Sequence, residues 1–122
     1  MILADTSVWI DHLNGGDRML QRLLQSDAIA MHPFVLGEIS LGGWALRAAT
    51  LYALERLPRV VVAQESEALR LIEDWSLFGS GIGYLDAHLL AAVLLTPDSR
   101  LWTRDKRLRA VAQQLTLDAD LA

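Results

Sequence analysis

Short apolar runs alternate along the chain with longer stretches whose apolar residues recur every three or four positions. The first kind predicts buried strands and the second predicts amphipathic helices. Ile2 to Ala4 reads as a strand, followed by a short helix over Thr6–Leu13 with Trp9, Ile10 and Leu13 inward. Asn14-Gly15-Gly16-Asp17 is a turn, and Asp17 caps a helix carrying Met19, Leu20, Leu23 and Leu24. Ala28 to Met31 is a second strand. Pro33 suits the first turn of the next helix, which Gly42-Gly43 breaks. A helical stretch over Ala45–Leu57 precedes a third strand, Val60 to Val62. Apolar residues at 68, 71, 72, 75 and 78 predict a helix from Glu65 to Phe78. A glycine-studded loop then leads to Leu85–Leu95, apolar nearly all round and so expected to be buried. Leu101 to Thr103 is a fourth strand, Lys106 to Leu115 a helix, and Leu115 to Leu117 a fifth strand.

Strands that alternate with helices imply βαβ units and a mostly parallel sheet. The expected architecture is a three-layer α/β/α sandwich of about four or five strands. At 122 residues, the chain matches one domain spanning 1–122. It has no cysteine, which excludes disulfides, thiolate metal sites and cysteine nucleophiles. The longest apolar run, Leu89 to Leu95, is far short of the roughly 20 residues that cross a bilayer. Met1-Ile2-Leu3-Ala4 meets Asp5 at once, unlike a signal peptide, so the expectation is a cytoplasmic protein without a membrane partner. The net charge of −4 argues against a general nucleic-acid coat. Five of the eleven basic residues nevertheless fall between Arg100 and Arg109.

In open parallel sheets, ligands bind beyond the carboxyl ends of the strands. Asp5 follows the first strand, Glu38 lies in the helix after the second, and Asp105 follows the fourth. Asp86 opens the apolar helix and joins the same edge if that helix points its N-terminus there. Each has a local explanation. Asp5 caps a helix, and Asp86 and Asp105 favour helix dipoles. Glu38 is harder to place, because Phe34 and Leu41 put it within an apolar face. A shared cause is a cation. Two carboxylates about 4 Å apart repel by roughly 4 kcal/mol at an effective dielectric near 20. Oxygen donors suit Mg²⁺ or Mn²⁺, and such acidic clusters serve phosphate-ester chemistry.

Four stretches carry a resemblance: Leu3-Ala4-Asp5-Thr6-Ser7-Val8-Trp9-Ile10, Pro33-Phe34-Val35-Leu36-Gly37-Glu38, Gly83-Tyr84-Leu85-Asp86-Ala87-His88-Leu89-Leu90 and Leu101-Trp102-Thr103-Arg104-Asp105-Lys106-Arg107-Leu108. Together and in order, they resemble the PIN-domain family, and within it the VapC toxins of bacterial VapBC toxin–antitoxin pairs. The resemblance implies a metal-dependent endoribonuclease with Asp5, Glu38, Asp86 and Asp105 as the acidic quartet around Mg²⁺ or Mn²⁺. It also implies supporting hydroxyls at Thr103 and at Thr6 or Ser7, a homodimer, and silencing by a VapB-type antitoxin.

Arg104, Lys106, Arg107 and Arg109 flank Asp105 and are candidates to hold RNA phosphates. His88, two positions after Asp86, is expected to be structural. Trp9, Trp75 and Trp102 suit the core, and Trp44 a partner surface.

Two other classes compete. A phosphatase with Asp-x-Asp after the first strand has Ser7 in the wrong place. A phosphotransfer receiver lacks its early acid pair, and the only lysine is Lys106. A non-catalytic interaction module on the same scaffold is the remaining alternative.

Overall fold

The computed structural model describes residues 1–122. Three parallel strands, β1 (Ile2–Ala4), β2 (Ile29–Ala30) and β3 (Arg100–Trp102), lie in the order β2-β1-β3. Ile2 pairs with Ile29 on one side and Arg100 on the other, and Leu3 with Ala30 and Leu101. Seven helices accompany the sheet: α1 (Thr6–Gly15), α2 (Arg18–Gln25), α3 (Pro33–Ser40), α4 (Arg47–Glu55), α5 (Glu65–Asp74), α6 (Tyr84–Leu95) and α7 (Lys106–Gln114). The fold is an α/β sandwich. β1 is central because it is apolar on both sides. Leu3 and Ala4 have no solvent exposure, as expected for a strand covered on both faces. They belong to a core cluster of 26 buried residues that also takes in Trp9, Leu90, Trp102 and Leu108.

The two expected outer strands shrink to single bridges. Val60–Val62 does not form a ladder. The bridge falls at Arg59, opposite Met31. The Met31 N–H donates to the Pro58 carbonyl (2.7 Å) and the Val60 N–H to the Met31 carbonyl (3.2 Å). Pairing stops there because the Val61 N–H donates instead to the Thr96 hydroxyl at the end of α6 (2.9 Å). The segment Leu115–Leu117 likewise pairs later than expected. Leu115 still closes α7, and the bridge joins Asp118 to Leu101.

Other boundaries move for local reasons. The expected helix to Phe78 ends at Asp74, where Ser76 adopts a left-handed backbone (φ 51°). Trp75 is therefore exposed rather than in the core, and Phe78 is more exposed still. Ile10 and Met19 face solvent, and the last turn of α6 emerges at Leu94 and Leu95. The helix expected from Ala45 begins at Arg47, after Leu46 in a left-handed conformation. Trp44 is half-buried rather than offered to a partner, and its indole N–H donates to the Ile39 carbonyl (2.8 Å). A Cβ on Gly42 would lie 2.4 Å from that ring, so only glycine fits beneath it. No helix is long and apolar enough to cross a membrane.

Candidate active site

Parallel strands bring their carboxyl ends to one edge, and Asp5 stands there directly after β1. Its backbone N–H donates to the Trp102 carbonyl of β3 (2.9 Å). Its side chain is the N-cap of α1, as the sequence allowed. Oδ1 accepts from the Ser7 N–H (3.0 Å) and the Ser7 hydroxyl (2.5 Å), and Oδ2 accepts from the Thr103 hydroxyl (2.5 Å). Capping and membership of the acidic edge are thus compatible roles of one carboxyl group.

The hydroxyls extend this lattice. Ser7 Oγ accepts from the Arg104 N–H (2.9 Å), and Thr103 Oγ1 accepts from the Asp105 N–H (3.0 Å). The loop after β3 is thereby fixed to the start of α1. Of the two hydroxyls left open after the first acid, Ser7 touches Asp5. Thr6 faces Glu38 instead, and its buried hydroxyl closes no hydrogen bond of ordinary geometry.

Glu38 projects from α3 and is largely exposed. Leu41 does not complete an apolar face with it, since Leu41 is 88% exposed beyond the helix end. Asp86 lies in the first turn of α6, where Oδ2 accepts from the Gly83 N–H (3.1 Å). Asp105 caps α7 by accepting from the Leu108 N–H (2.9 Å).

Electrostatics link the four. Burial pushes the Asp5 carboxyl above its usual range, against the hydrogen bonds from Ser7 and Thr103. Burial also raises Glu38, and the charges of Asp86 and Asp5 add to that while Thr6 opposes it. Asp86 is raised by burial and then by the charge of Asp105, against the Gly83 amide. Like charges close enough to raise each other either take protons or hold a cation.

The expected single cation-holding cup is not closed in this arrangement. No three acidic or histidine side chains stand at ion-enclosing spacing. Asp5, Asp86 and Asp105 each accept from a neighbouring backbone amide, and each keeps carboxylate lone pairs that can face an ion. The donor chemistry, all carboxylate and hydroxyl oxygen, still fits a hard divalent ion.

The basic strip divides. Arg104, expected to meet RNA, is engaged within the chain. Its guanidinium donates to Asp11 (2.8 Å) and Asp17 (2.5 Å) and lies over the Trp102 ring at 5.3 Å. Burial alone would lift the Asp17 carboxyl, but the Leu20 amide and Arg104 outweigh it and hold it below its usual range. Arg109 is half-buried, with Nε 3.7 Å from Asp118. Lys106 and Arg107 remain exposed. Asp17 was legible as a cap, which it is, but nothing in the sequence marks it and Asp11 as partners of a residue 87 and 93 positions away.

His88 is buried and structural in its contacts, edge-on to Phe34 and Tyr84 at 5.1 and 4.7 Å. His32 was overlooked. It is fully buried and caps α3, its Nδ1 accepting from the Phe34 N–H (2.9 Å). Burial, with the His88 and Arg59 charges, lowers its pKa to about 4. Its place just before Pro33 was the available signal.

Residues 2–114 match the model of the PIN domain. Two curated relatives, both named Ribonuclease VapC32, come from Mycobacterium tuberculosis strains CDC 1551 / Oshkosh and ATCC 25618 / H37Rv. Each is 45% identical over 114 residues, which cover 93% of this chain and 92% of the relative. The four motifs, the parallel sheet and these matches agree, and the chain belongs to the PIN-domain family.

Proposed function

We propose that this chain is a Mg²⁺- or Mn²⁺-dependent endoribonuclease that acts as the toxin of a toxin–antitoxin pair. The observation that carries the proposal is Asp5, held through both carboxyl oxygens at the strand edge, within electrostatic reach of Glu38, which in turn feels Asp86. Similarity to proteins named as ribonucleases over nearly the whole chain supports it. Asp5, Glu38, Asp86 and Asp105 are the residues to hold the ion. When bound, such an ion withdraws charge from the phosphate and makes a water more acidic.

The chain's own residues do the positioning. Ser7 and Thr103 fix the Asp5 carboxyl, so no reorganisation is needed there during reaction. Thr6 orients Glu38. Lys106 and Arg107, exposed beside Asp105, take phosphates of the strand. Water attacks phosphorus, and the bond to the leaving ribose oxygen breaks. A cognate VapB-type antitoxin, a homodimer and a cytoplasmic setting belong to the same proposal. Exposed apolar side chains such as Leu41 and Leu46 support a protein partner.

RNA incubated with the protein and Mg²⁺ or Mn²⁺ is cut, and EDTA stops the cutting. Asp5→Asn and Asp86→Asn, checked for folding, each lose at least the roughly 10–100-fold typical of residues one shell further from a metal. Cleavage that survives chelation and both substitutions rejects the proposal.

A further inference from the structure

Beside the acidic edge lies a pocket that the mechanism above does not use. It has a volume of about 200 Å³ and is walled by Ile72, Phe78, Ile82, Gly83, Tyr84 and their neighbours. Gly83 is shared with the acidic site, because its amide donates to Asp86. Tyr84 follows it as the first residue of α6. Phe78 is 67% and Tyr84 46% exposed, an unusual outlay of aromatic surface. Across the glycine loop lies Arg107. Its Cδ stands 2.7 Å from where a Cβ on Gly81 would be, and Gly81 has a positive φ of 87°. The positive φ favours glycine at 81, and the exposed arginine passes close over it.

We propose that this pocket is a nucleobase subsite, holding one unpaired base of the RNA next to the phosphate being cut. The inference rests on the ribonuclease reading and adds to it where the strand is gripped. Three observations favour a base as the occupant. The cavity is smaller than the roughly 300–1,000 Å³ of sites for drug-sized ligands, which suits a single flat ring system. Two exposed aromatics, Phe78 and Tyr84, are groups on which bases stack in single-stranded recognition. Finally, a protein of net charge −4 with four acids at its site gains little from phosphates alone, so a non-ionic hold is needed. Continuity through Gly83 puts that hold immediately beside Asp86.

The test is a double-substitution cycle on protein and RNA. A short single-stranded RNA of a sequence the protein cuts is compared with copies carrying an abasic nucleotide on either side of the scissile bond. Wild type, Tyr84→Ala, Tyr84→Phe and the remote control Tyr52→Ala are measured for binding and cleavage. Stacking on one base is worth about tenfold in affinity. Tyr84→Ala is expected to lose about that much and to blur the base preference at the cut. The abasic RNA loses as much with wild type, and little more with Tyr84→Ala. Tyr84→Phe keeps the ring and stays near wild type, as does Tyr52→Ala. Additive losses, or RNA binding untouched by Tyr84→Ala, overturn the subsite and leave the pocket to an apolar peptide of a protein partner. A wild-type protein that cuts no RNA overturns the parent reading as well, which the control RNA reveals separately.

Discussion

On the α1–β3 side of the acidic edge, the polar side chains around Asp5 are tied to one another. On the α3–α6 side, Glu38 and Asp86 share only their charges. The tied side joins Ser7, Thr103 and Arg104 to Asp5, Asp11 and Asp17 across more than 85 positions of sequence. The open side has the Gly83 amide on Asp86 and a Thr6 hydroxyl that faces Glu38 without closing a bond. One half of the site is therefore organised before any ligand arrives, and the other is left to be drawn in by one. That division suits the proposed function, in which the site binds a cation and then releases a product.

Acid is expected to break the open side first, with the largest effect. His32 caps α3, the helix of Glu38, through an unprotonated Nδ1. Its folded pKa of about 4 lies below its unfolded value near 6.5. The unfolded chain therefore binds more protons between these values, and stability falls as pH drops from about 6.5 to 4, by up to about 3 kcal/mol. The raised carboxyls of Asp5, Glu38 and Asp86 act with the opposite sign, favouring the fold as pH falls through their range. His32→Asn keeps a capping acceptor and removes the histidine contribution. Amide exchange against pH is expected to show α3 loosening before α1 in wild type, and no such difference in the variant. Simultaneous loosening of both helices would contradict it.

Arg104→Ala attacks the tied side. It leaves Asp17 unpaired with only 15% of its side chain exposed. The cost is about 2 kcal/mol, below the 3–5 typical of a fully buried pair because Asp11 is largely solvated. Denaturant melts measure it. Arg104 is already held by Asp11 and Asp17, so the salt dependence of RNA binding is expected to keep its slope in this variant. Arg107→Ala is expected to lower that slope by about one. A reduced slope for Arg104→Ala would restore it as a phosphate contact.

The smallest effect sharpens the contrast by sign. Replacing Glu38 and Asp86 together with Gln and Asn relieves repulsion, and the ion-free protein gains about 1 kcal/mol, since solvent screens Glu38. Asp5→Ala or Asp105→Ala moves the other way, because each also loses helix-capping bonds worth about 1 kcal/mol. Thermal melts in EDTA distinguish the two classes, and a loss from the double variant would count against the charge argument.

What could be read from the sequence follows the same division. Asp5, Asp86 and Asp105 were placed by strand ends and helix starts, which local pattern reveals. Asp17 was recognised as a cap for the same reason. Its second oxygen was invisible, because the pairing with Arg104 depends on how β3 and α1 meet. Nor could the string tell Arg104, held by two carboxylates, from the exposed cations Lys106 and Arg107 beside it. Val60–Val62 had the composition of a strand, but a hydroxyl 35 positions away took the amide that the ladder needed. Trp75 had helical spacing and lay just past the last residue to which that spacing applied.

β1 pairs on both flanks with segments that follow it, and Thr103, which anchors Asp5, is 98 residues downstream. Such distant pairing makes folding slow. It also sets a sequence of events during synthesis: a ribosome that has emitted only β1 through α6 has made three of the four acids and Ser7, but not Thr103, the other hydroxyl that holds the first. The complete acidic edge is therefore a property of a nearly finished chain, and a truncated translation product would lack both Thr103 and Asp105.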